Sequence, residues 1–200
     1  MSGDEPTRAP RRTKSRVILA SALLALAALI SWTQVWFTVD LVDGTALEVA
    51  GQIAAPALSA LALTSLVLVG ALSIAGPFFR LVFGILESLI GVAIVFSGIL
   101  AVTDPVAASA SAISTATGVA GENSVADLVG SIAQSPWPWV AIVSGALTVV
   151  AGVVIVIVSR SWPGSARKYQ ATRLEPAESE RTSVDDWDAL SGGNDPTTRD

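Results

Sequence analysis

Residues 81–102 read LVFGILESLIGVAIVFSGILAV, an apolar run broken by one charge, Glu87. At 1.5 Å of rise per residue a helix of that length crosses a hydrocarbon core of about 30 Å. Three more runs of spanning length lie around it, so that the expected spans are 17–36, 54–75, 81–102 and 137–158, each bounded by charge, Pro, Gly or Trp. The whole chain agrees: 52% of its 200 residues are hydrophobic and 14% charged, and the mean hydropathy is +0.61, more apolar than a soluble domain of this length. The expected fold is an all-α membrane protein, a four-helix transmembrane bundle whose first partner is the lipid bilayer. The basic stretch before the first run is like the start of a secretory signal. That run continues past Ile30 with no small-residue cleavage site followed by polar sequence, so it reads as an uncleaved helix.

Charge placement sets the expected orientation, because Lys and Arg are retained on the cytoplasmic side during insertion. Of the twelve, Arg8, Arg11, Arg12, Lys14 and Arg16 precede the first span, Arg80 lies between the second and third, and Arg160, Arg167, Lys168, Arg173, Arg181 and Arg199 follow the fourth. Residues 37–53 and 103–136 carry Asp40, Asp43, Glu48, Asp104, Glu122 and Asp127 and no basic residue. Both of these stretches are therefore expected outside, with N and C termini cytoplasmic: a basic tail over 1–16, a membrane region over 17–158 and a second tail over 159–200. Anionic headgroups suffice as partners for the basic tail, and no nucleic-acid reading is needed.

The chain has no Cys and no His, which removes thiolate nucleophiles, imidazole bases and most transition-metal sites. Its acids are scattered without a base, so no catalytic, cofactor or metal site is expected and the chain does not read as an enzyme. Glu87 is the one ionisable side chain inside an expected span. Such a residue is a candidate for proton coupling; the plainer alternative is a structural role, with water, Ser88 or Arg80, about 10 Å along the same face, satisfying it.

Small residues drive helix association in lipid, where helix and solvent are equally apolar. Gly84, Gly91 and Gly98 recur every seven residues in the third span, with Ser88 between them. Gly145 and Gly152 recur likewise in the fourth, flanked by Ala141, Ser144 and Thr148. These two spans are expected to pack along their glycines. Trp32, Trp36, Trp137 and Trp139 fall at the outer ends of the first and fourth spans and Trp162 at an inner end, which reads as an interfacial belt; the sharper alternative is a ligand-stacking cage.

In the first outer loop two β-prone runs flank Asp43-Gly44, which predicts a short β-hairpin with a type I′ turn, resting on the membrane or on the second loop. The second loop is rich in Ala, Ser, Thr and Gly, with short helices expected over Pro105–Thr117 and Ser124–Ala133. The C-terminal tail ends in a docking-like segment over 183–197. There Val184, Trp187 and Leu190 form an apolar stripe at three-residue spacing beside Asp186 and Asp188, a pattern suited to a cytoplasmic protein partner.

A family resemblance rests on particular residues: Ser31-Trp32 with Trp36, Ala55-Pro56-Ala57, Asp104-Pro105, Trp137-Pro138-Trp139, Arg167-Lys168-Tyr169, and the stretch from Asp186-Trp187-Asp188-Ala189-Leu190 to Asp195-Pro196-Thr197. Together they resemble the actinobacterial tryptophan biosynthesis-associated membrane proteins, named for a gene among tryptophan biosynthesis genes. Gly193-Asn194 depart from the charge expected before Asp195. The resemblance implies an inner-membrane address and a pathway context, and no mechanism. Two function classes stand side by side: a non-enzymatic membrane accessory protein acting through its tail, and a small transporter or exporter subunit for an aromatic metabolite, built as a homo-oligomer. A smaller third reading is an outward-facing structural protein.

Overall fold

The computed structural model describes the backbone of residues 9–158 and the side chains of 15–158. Ten elements follow one another: α1 (Ala9–Thr33), β1 (Val35–Leu41), β2 (Ala46–Ala50), α2 (Gly51–Ala54), α3 (Ala57–Ile74), α4 (Pro77–Thr103), α5 (Pro105–Thr117), α6 (Glu122–Asp127), β3 (Val129–Gln134) and α7 (Trp137–Val158). Among the described residues four helical stretches are long and apolar enough to cross a membrane: Ser15–Thr33, Ala57–Ile74, Pro77–Thr103 and Trp137–Val158. α1, α3, α4 and α7 touch in a ring, α1 against α3, α3 against α4, α4 against α7 and α7 against α1. The two-residue link Ala75-Gly76 makes α3 and α4 antiparallel neighbours, and Pro77 starts α4 where its missing N–H costs nothing.

The buried positions of three of these helices recur at alternating steps of three and four. On α3 they are Leu58, Ala62, Ser65, Val69 and Leu72; on α4 Arg80, Gly84, Glu87, Gly91, Ile94, Gly98 and Ala101; on α7 Pro138, Ala141, Gly145, Thr148, Gly152 and Ile155, with Ser144 beside them. A mean step of 3.5 keeps one face on a neighbour along a left-handed bundle, while Leu89, Val92, Phe96, Leu147 and Ile157 are left for lipid.

At one end of the bundle the two long loops fold on each other. β1 is the central strand of a three-stranded antiparallel sheet of order β2-β1-β3. Phe37, Val39 and Leu41 face inward and join Val49, Ile113 and Val125 in a core that continues into the bundle through Leu58, Ile94 and Ala141. α5 touches all three strands; Asp104 caps it by accepting from the Ala107 N–H at 2.9 Å. The loops therefore form a cap welded to the bundle.

Three sequence expectations change here. The first span ends at Thr33, and Trp36 lies in β1, where it is fully buried. The register slips between Val35 and Phe37; such a bulge re-aims a side chain, and the Trp36 indole turns under Gly51, whose Cβ would stand 2.7 Å from its Nε1. In the β1–β2 connection the Gly44 N–H donates to the Leu41 carbonyl at 2.9 Å, so the tight turn is centred on Val42-Asp43, one residue earlier than a type I′ turn on Asp43-Gly44, and Gly44 follows it at φ 86°. Over Ser124–Ala133 helix gives way to α6 and then β3, because β1's second edge has backbone groups that a partner strand satisfies.

Candidate functional site

The polar centre of the bundle is Glu87, on the face of α4 turned toward α3 and 1% exposed. The Ser65 hydroxyl of α3 donates to its Oε1 at 2.7 Å. Oε2 has no hydrogen-bond partner among the described residues, and Glu87 lines a small crevice together with Leu68, Val69, Leu72, Phe83 and Ile155. Ser65 is the partner that sequence reasoning missed; it is one of several hydroxyl residues in the second span, and only its 3.5-step spacing with the inward-facing Leu58, Ala62, Val69 and Leu72 sets it apart. Ser88, the neighbour expected to help, turns instead to the Gly84 carbonyl at 3.1 Å and the Val149 carbonyl at 3.4 Å. Arg80 is buried seven residues earlier on the same face.

The same buried face of α4 meets α7 through glycine. A Cβ on Gly91 would stand 2.7 Å from both the Gly145 carbonyl oxygen and the Val149 nitrogen; one on Gly145 would stand 3.0 Å from the Val95 nitrogen. Toward one end of the contact a Cβ on Gly152 would lie 2.7 Å from the Gly84 carbonyl oxygen, and toward the opposite end one on Gly98 would meet Ile142 Cγ1 at 2.6 Å. At Gly91, Gly145 and Gly152 the neighbouring backbone is too close for a side chain, while at Gly98 it is the Ile142 side chain that would have to shift.

The tryptophans have separate environments. Trp139 is 54% exposed, Trp32 and Trp137 are half-buried, and Trp36 is inside, donating from Nε1 to the Ser31 carbonyl at 2.8 Å and meeting Phe37 edge-on with ring centroids 6.5 Å apart. Trp36 is therefore a core residue of the cap, which corrects its placement in the belt. The Ser31 hydroxyl donates to the Trp137 carbonyl at 2.6 Å, fastening α1 to the start of α7. Trp162 and the tail residues Val184, Asp186, Trp187, Asp188 and Leu190 lie outside the described residues.

Several acids of the cap have local structural roles. Asp40 accepts from the Ser131 hydroxyl at 2.9 Å across β1 and β3. Asp43 accepts from the Thr45 N–H at 2.9 Å; this backbone bond, and then the Thr45 hydroxyl, hold its carboxyl below the ordinary 3.8. Among the described residues no group of three or more acids gathers as a metal site would require.

A family model described as tryptophan-associated transmembrane protein matches residues 16–197, nearly the whole chain. The chain belongs to the tryptophan-associated transmembrane protein family. The match takes in all four spanning helices and the cap, and continues past Val158 through the tail. The family thus accounts for a multi-pass membrane protein. No curated protein and no solved structure matches the chain.

Proposed function

We propose that this protein is a non-enzymatic membrane accessory of tryptophan biosynthesis, a four-helix anchor in the cytoplasmic membrane that presents its C-terminal tail to a cytoplasmic protein partner. The observation that carries the reading is the extent of the family match, which runs beyond the last spanning helix through residues 183–197. A bare anchor has no use for that stretch. Within it Val184, Trp187 and Leu190 supply an apolar stripe too small to bury itself, and a Trp on a polar tail is a typical anchor for a partner. The orientation, both termini in the cytoplasm and the cap outside, rests on the exclusive placement of Lys and Arg at one end. The structural employment of Asp40, Asp43 and Asp104, in a chain without His or Cys, supports a role other than catalysis.

The second reading, a small transporter or exporter subunit for an aromatic metabolite, is favoured by one observation, the Glu87–Ser65 pair inside the bundle. The two accounts separate in a deletion strain whose growth without tryptophan is impaired. At matched membrane abundance, Trp187→Ala is expected to fail to restore growth and Glu87→Gln to restore it fully, because the amide oxygen still accepts from Ser65. The reverse pattern overturns the docking account and puts transport first.

A further inference from the structure

Between α1 and α7 the bundle surface is not flat. Two clefts of about 460 Å³ each lie end to end there, and Leu24 and Leu147 line both, so they form one groove. The half nearer the N terminus is walled by Val17, Ala20 and Leu24 of α1 and Leu147, Ala151 and Val154 of α7. The groove then continues to Trp139. Val154 and Trp139 are separated by about 22 Å of helix rise, so the groove runs along most of a hydrocarbon core of about 30 Å, and one leaflet's share is about 15 Å.

We propose that the half of this groove between Val17 and Leu24 is a binding site for an acyl chain of an anionic phospholipid, whose headgroup is held at Arg16. Charge complementarity at the mouth selects this occupant. Arg16 is exposed and adjoins Val17, the first lining residue, and it is the last of five basic residues that precede the span. A second copy of the chain packed on α1 would set Arg16 beside its counterpart, at a repulsive cost. A phosphate headgroup neutralises Arg16, and a flexible acyl chain conforms to an apolar groove. The site stands on the membrane character of the protein alone and is independent of what the tail docks.

The test uses the full chain reconstituted in vesicles of equal phosphatidylglycerol and phosphatidylcholine, then released into native mass spectrometry. The wild type is expected to retain phosphatidylglycerol over phosphatidylcholine by about fivefold or more, and Arg16→Gln to bring the ratio near parity. Ala20→Phe with Ala151→Phe fills the cleft and is expected to abolish retention. Leu147→Trp, at a position 48% exposed and so able to fold, must act in the same direction from the opposite wall. Undiminished phosphatidylglycerol retention in both groove-filled proteins overturns the proposal, because the basic tail alone would then hold the lipid. A wild-type dimer that the same substitutions dissociate also overturns it, by assigning the groove to a second copy.

Discussion

Burying a carboxyl among hydrocarbon side chains is costly unless a donor meets it, and for Glu87 that donor is the Ser65 hydroxyl on the next helix. Ser65→Ala leaves Oε1 without its bond and is expected to lower stability by about 1–2 kcal/mol, measured by thermal unfolding in detergent. In a Glu87→Leu background the same change is expected to cost little, since the hydroxyl then has no carboxyl to serve; strictly additive effects would mean that the pair is not coupled. The separation of 22 residues explains why only half of this site was legible in the chain. Glu87 announced itself as a charge in an apolar run, whereas Ser65 is one of several hydroxyl residues in the spans, and only the packing of α3 on α4 selects it. Trp36 has the same lesson with the opposite sign: its position near the end of a span suggested the headgroup layer, and a one-residue bulge placed it in a core.

At the scale of elements, the α4–α7 contact is built from absent side chains. Gly91→Leu and Gly145→Leu must push two backbones apart, and each is expected to destabilise the bundle by about 1–3 kcal/mol or more. Leu100→Phe, at a position 52% exposed toward lipid, is expected to leave the melting temperature nearly unchanged. Equal melting of the three variants would remove the glycine contact as a determinant of stability. The seven-residue recurrence of these glycines is visible in the sequence because a helix face is a local, periodic property. β3 offers no such signal. Val129-Gly130-Ser131-Ile132-Ala133-Gln134 is neither strongly alternating nor rich in aromatic residues, and it becomes a strand because β1 presents an edge to it, residue 37 pairing with residue 134.

For the whole molecule, orientation is the property with the widest consequences, since it decides which compartment the cap and the tail meet. Alkaline phosphatase fused after Gly44 or Gly121 is expected to be active and fused after Arg80 or Asp200 inactive; activity at Arg80 would invert the arrangement and remove the tail from any cytoplasmic partner. The sequence by itself determined that this is a membrane protein with four spanning helices, because spanning requires only a sufficient contiguous length of apolar side chains. The tertiary structure alone decided that the two loops make one cap around a shared sheet, that Trp36 lies in its core and that Ser65 meets Glu87. Each of these depends on hydrogen bonds or close contacts between residues far apart in the chain, and such partners are chosen by the requirement that buried polar groups be satisfied in three dimensions, which no local pattern of residues encodes.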